Sequence, residues 1–84
     1  MDRLCDALLS LNSREEMYAF LEDLCTVGEL EAMQQRLQVA TMLDGEVTYQ
    51  EIAKETGVST ATISRVNRAL HYGNDGYTLV LGRI

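Results

Sequence analysis

The sequence predicts an all-α chain of about six helices that carries a helix-turn-helix. Apolar residues recur at helical spacings along nearly its whole length. The 84 residues include no proline, so no helix is interrupted by a missing amide donor. No stretch reads as a strand, because Val47-Thr48-Tyr49 and Tyr77-Thr78-Leu79-Val80-Leu81 are too short and too isolated. The chain is expected to form a single domain over 1–84: a helical dimerisation body over 1–47, a helix-turn-helix head over 48–71, and a short C-terminal helix or tail over 72–84.

Each element has its own signal. Leu4, Ala7, Leu8 and Leu11 make a first short helix. Ser13 with Glu16 is a capping box, in which hydroxyl and carboxylate each satisfy an orphan amide. It opens a helix whose Met17, Phe20, Leu21 and Leu24 fall at i, i+3, i+4 and i+7. Thr26 with Glu29 is a second box, opening a longer helix through Leu30, Met33, Leu37, Ala40 and Leu43 that closes near Asp44-Gly45. Met17, Met33 and Met42 read as core filler, and Cys5 and Cys25 as small reduced core residues.

The head begins at Thr48, which with Glu51 forms a third capping box. Ile52 and the small Ala53 share one turn and let a second helix cross closely. Gly57 stands where the chain must leave this helix in a left-handed conformation. Val58 is apolar inside the turn and Ser59 can cap the next helix. Ile63, Val66 and Leu70 then recur at spacings of three and four, the stripe by which the second helix packs on the first. Gly73-Asn74-Asp75-Gly76 is a turn cluster, and Tyr77 to Leu81 a short last helix or apolar tail.

The other face of the second head helix presents Thr60, Ala61, Thr62, Ser64, Arg65, Asn67 and Arg68. Short polar side chains at the front with arginines behind suit a helix laid in a DNA major groove. The net charge of −6 runs against nucleic-acid binding, but its distribution does not. Residues 1–47 hold ten acids and three arginines, whereas 48–84 hold three acids and four basic residues. Between Thr56 and Gly73 there is no acid at all. Two arginines in the head are few for a monomer, and 46% hydrophobic residues are many for so small a unit. Both point to a homodimer presenting two heads to double-stranded DNA.

Other functions lack their parts. His71 is the single histidine and has no nucleophile at motif spacing. No Gly-rich phosphate loop precedes a lysine, and Cys5 and Cys25 have neither a CxxC pattern nor a nearby histidine. No enzyme activity, metal or cofactor is expected, and with no leader-like or membrane-length apolar segment the expected location is the cytoplasm. Two alternatives stay open: a helix-turn-helix that docks on a protein of the transcription machinery, and an aporepressor for an unidentified small-molecule corepressor.

Several segments together resemble the Trp repressor superfamily. They are Asp44-Gly45-Glu46-Val47-Thr48 and the run from Gly57 through Ser59-Thr60-Ala61-Thr62-Ile63-Ser64-Arg65. Asp23-Leu24-Cys25-Thr26, Gln35-Arg36-Leu37, Thr48-Tyr49, Ser59 to Val66 and Tyr72-Gly73-Asn74-Asp75 are similar to its Trp-repressor-related YerC/YecD branch. The resemblance spans roughly residues 10 to 81. It implies an intertwined dimer and a regulator that binds an operator with two-fold symmetry. In the repressor proper, two arginines sandwich the indole of tryptophan; one matches Arg65, and the other matches Arg36 or Gln35 depending on a one-residue gap. The glycine that makes room for that ligand is here Val66, so the pocket is expected to be filled by the protein's own side chain, and tryptophan is not the expected corepressor.

Overall fold

The computed structural model describes all of Met1–Ile84 and contains six helices and no strand. They are α1 (Asp2–Leu9), α2 (Arg14–Leu24), α3 (Val27–Asp44), α4 (Tyr49–Thr56), α5 (Thr60–Tyr72) and α6 (Gly76–Leu81). The chain packs as two compact units, Met1–Glu31 and Ala32–Ile84. The division falls inside α3, upstream of the boundary near residue 47 that charge and motifs suggest.

In the first unit no residue is fully buried. Along the stripes of α1 and α2, Leu4 and Leu24 are exposed, and Ala7, Leu8, Leu11, Met17, Phe20 and Leu21 are only half-buried. Cys5 is exposed and Cys25 half-buried, both as free thiols, which removes Cys5 from the expected core. The helix starts behave as hydrogen-bonding devices. Ser13 Oγ accepts from the Glu16 amide at 3.1 Å, but the Glu16 carboxylate accepts from the Asn12 amide at 2.8 Å rather than from Ser13. The box therefore closes one residue further out. At α3 it is reciprocal: Thr26 Oγ1 accepts from the Glu29 amide at 3.1 Å and Glu29 Oε1 from the Thr26 amide at 2.8 Å. The bond from the Thr26 backbone, and then its side chain, hold the Glu29 carboxyl below its ordinary value.

The second unit contains the core. Val39 and Ala40 of α3, Ile52 of α4 and Ile63, Val66 and Leu70 of α5 are buried. Met42, Leu43, Val47, Ala53, Val58, Tyr77 and Leu81 pack partly buried around the first five. Each large aliphatic side chain here contributes about 1.5–3 kcal/mol by leaving water. Met33 and Leu37 do not join them. At 40% and 37% exposed, they form a second apolar strip on α3, nearly in line with Ala40 but turned by roughly 100° or more from Val39 and Leu43.

α3 ends in a Schellman motif. The Val47 amide donates to the Met42 carbonyl at 3.0 Å and the Glu46 amide to Leu43 at 3.0 Å. Val47 and Met42 both pack against the core. The left-handed residue of the motif is Glu46, with φ 62°, and not the preceding Gly45. A side chain in that conformation costs about 1–2 kcal/mol, so the α3–α4 connection is locally strained.

Candidate nucleic-acid interface

The α4–α5 pair is built by its caps. Thr48 Oγ1 accepts from the Glu51 amide at 3.2 Å, so the hydroxyl half of the expected box starts α4. Gly57 ends it with φ 72° and ψ 5°, its amide donating to the Ala53 carbonyl at 2.9 Å. Thr56 braces the turn: its hydroxyl donates to the Ile52 carbonyl at 2.7 Å and accepts from the Val58 amide at 3.2 Å. Ser59 then caps α5, accepting from the Thr62 amide at 3.2 Å. With Ile63, Val66 and Leu70 buried beneath it, the opposite face of α5 is fixed outward.

On that face Thr60, Ala61, Ser64, Arg65 and Arg68 are all exposed. Thr62 is placed differently. It is half-buried, its hydroxyl accepts from Ser59 Oγ at 3.1 Å, and it lines a cleft beside the helix. No acid occupies the first turn of α5, and His71 lies in its last turn, against Tyr72 in an edge-on contact with ring centres 6.5 Å apart.

The cleft beside Thr62 has a volume of about 450 Å³ and brings together Arg36, Arg65, Val66, Ala69 and Tyr77. Arg36 and Arg65 thus meet although they lie on different helices, and Gln35 is not part of the lining. Val66 is only 2% exposed; its methyl groups close the floor of the cleft and belong to the core. An adjoining cleft of about 490 Å³ is lined by Leu37, Ala69, Gly73, Tyr77 and Val80, among others, and is mainly apolar.

Tyr77 is the site residue that periodicity does not single out. Within a short apolar tail it looks like one hydrophobic position among several, yet it lines both clefts and packs on the core. The available signal is its place directly after the Gly73–Gly76 turn cluster. No group of three or more His, Cys, Asp or Glu side chains is placed to hold a metal ion. No helix is long and apolar enough to cross a membrane.

Comparison with known proteins agrees with this architecture. The family model described as Trp repressor protein matches residues 1–84. The YerC protein of Bacillus subtilis is 52% identical over 84 residues, which are 100% of this chain and 81% of YerC. A Trp operon repressor homolog of Chlamydia trachomatis serovar L2 is 38% identical over 69 residues, or 76% of this chain and 73% of that protein. The crystal structure of a TrpR-like protein from Eubacterium eligens superposes with a TM-score of 0.94 at 54% identity, covering 98% of this chain and 84% of that one.

Proposed function

The chain belongs to the Trp repressor family, and from that premise we propose that it is a sequence-specific transcriptional repressor that docks α5 in the major groove of operator DNA as a homodimer, without tryptophan as corepressor. Acting on the genome, it works in the cytoplasm. The observation that carries this reading is the front of α5: Thr60, Ala61, Ser64, Arg65 and Arg68 are exposed together, on a stretch free of acids. Thr60, Ala61 and Ser64 approach base edges, while Arg65 and Arg68 reach phosphates on the flanking strands. Thr62 contributes through its hydroxyl at the rim of the cleft.

The dimer is supported by the first unit, in which no residue is buried although apolar stripes run through α1 and α2. A second copy covering these stripes provides the core that the first unit lacks. Two α5 helices about 34 Å apart then meet successive major grooves. The independence from tryptophan is supported by Val66, a buried side chain that lines the same cleft as Arg36 and Arg65.

The test is duplex binding against salt. A random-sequence pool should yield a preferred duplex, and its affinity should fall as salt rises with a slope of about −0.9 per phosphate neutralised. Absence of duplex binding at low salt would instead identify a protein-docking module. A thermal-shift screen of metabolites separates a ligand-free repressor from an aporepressor with another corepressor.

A further inference from the structure

Below α5 the chain reverses in an unusual way. The Gly73 amide still donates to the Ala69 carbonyl at 3.0 Å, as in a continuing helix. At the same point a Cβ on residue 73 would collide with that carbonyl. The turn therefore lies hard against the last turns of α5. Asp75, with φ 63°, completes the reversal, and α6 starts at Gly76. Tyr77 is thereby delivered beside Ala69, half-buried, and packs with Leu81 against the core.

Ala69 and Tyr77 are the two residues common to both clefts. Ala69 supplies one methyl group, so Tyr77 is the larger of the two side chains that the clefts share. On one side lie Arg36, Thr62 and Arg65; on the other lie Leu37, Gly73 and Val80. The buried stripe of α5 holds the helix against α3 and α4. Its Ala69 side borders both clefts, where α6 packs against α5. Without the ring the two clefts join and α5 gains room to shift towards them, taking Arg65 and Thr62 with it.

We infer that Tyr77 is a positioning residue for DNA recognition: its ring wedges α6 against α5 and holds the recognition helix in its reading pose. This rests on the DNA-binding reading above, and it asks for a ring rather than a hydroxyl. Because no cation is removed when the ring is truncated, affinity and salt slope respond differently. A lost phosphate contact lowers both, whereas a released pose lowers affinity alone.

The experiment measures binding of the parent's preferred duplex by Tyr77→Phe and Tyr77→Ala, with helix content followed by circular dichroism. The Phe variant is expected to bind as the parent does. The Ala variant is expected to bind about five- to tenfold more weakly, at the lower end of the usual coupling between separate sites, with an unchanged salt slope. Millimolar 4-methylphenol, which has the outline of the deleted side chain, should restore its affinity and leave the parent unaffected. If the Ala variant loses its helix content, Tyr77→Leu is read in the same way, since leucine keeps the core contact but cannot span both clefts. Parent-like affinity in the folded truncation, or no response of that variant to 4-methylphenol, overturns the inference alone. A parent protein that binds no duplex at low salt overturns the DNA reading and this inference together.

Discussion

Arg36 and Arg65 line the same cleft, and each is placed by a buried neighbour on its own helix. Arg36 precedes Val39 and Ala40 by one turn of α3, and Arg65 is followed directly by Val66 in α5. The backbone beneath both cations is therefore anchored by the core, while the guanidinium groups project from it. Two exposed like charges, screened from each other by water, attract an anion. With Val66 closing the floor, the anion they meet in the proposed reading is a phosphate at the rim rather than a ligand sunk between them.

Replacing Val66 by Gly is the direct probe of that floor. Loss of the buried side chain together with the helix penalty of glycine should cost about 2–4 kcal/mol in unfolding experiments. Calorimetric titration with L-tryptophan should give no heat in the parent at micromolar ligand, and heat only in the glycine variant. Heat of binding in the parent would refute independence from tryptophan.

The two arginines of α5 and the short side chains at its front should separate cleanly. Arg65→Ala and Arg68→Ala should each weaken preferred and random duplexes alike and reduce the salt slope by about one unit. Thr60→Ala or Ser64→Ala should instead redistribute sequence preference, by about 1–3 kcal/mol at the base concerned. Parent-like binding of every duplex by both arginine variants would show that the contacts lie elsewhere.

In solution the folded species should have twice the 9.4 kDa chain mass. Sedimentation equilibrium at micromolar concentration checks this, and a folded species of 9.4 kDa would defeat the dimer proposal.

Much of the architecture was legible because it is written in local chemistry. Ser13, Thr26, Thr48 and Ser59 each accept the amide three residues on, as residue type and spacing predict. The Ile63, Val66 and Leu70 stripe is likewise a matter of period. What could not be read depends on packing between distant segments. That Arg36 rather than Gln35 enters the cleft depends on the rotation of α3, whose apolar residues lie on two faces and so define no single inward direction. That Met33 remains exposed follows from the same ambiguity. Glu46 taking the left-handed position beside an available glycine is a third case: composition points to Gly45, while the bonds of Glu46 and Val47 to the end of α3 select the next residue.

Glu46→Gly should accordingly stabilise the protein. Relief of the left-handed strain outweighs the added freedom of glycine in the unfolded chain, giving a gain of about 0.5–1 kcal/mol. Thermal unfolding of the variant beside the parent measures it. A lower melting temperature would mean that the Glu46 side chain makes up for its backbone.

Acid should loosen the start of α3. The Glu29 carboxyl is depressed below its ordinary value of 4.5 by its bonds from Thr26. Its contribution is complete above the unfolded value and is lost as pH falls through the lower folded one. Helix content in Glu29→Gln should therefore vary less with pH below about 4.5 than in the parent. Identical acid titrations would show that this cap does not matter.

The reversal at Gly73 has a consequence for how the sequence can drift. His71, Tyr72 and Asn74 are exposed, and their side chains can be exchanged without touching the core. Residue 73 has no such freedom, since any side chain there strikes the Ala69 carbonyl and must displace the backbone that follows. In a saturation library over 71–74, tolerance would collapse at one column and persist on both sides of it. A surface position with no side chain would then rank among the most restrictive in the chain, because what it contributes beyond its backbone bond is the absence of an atom.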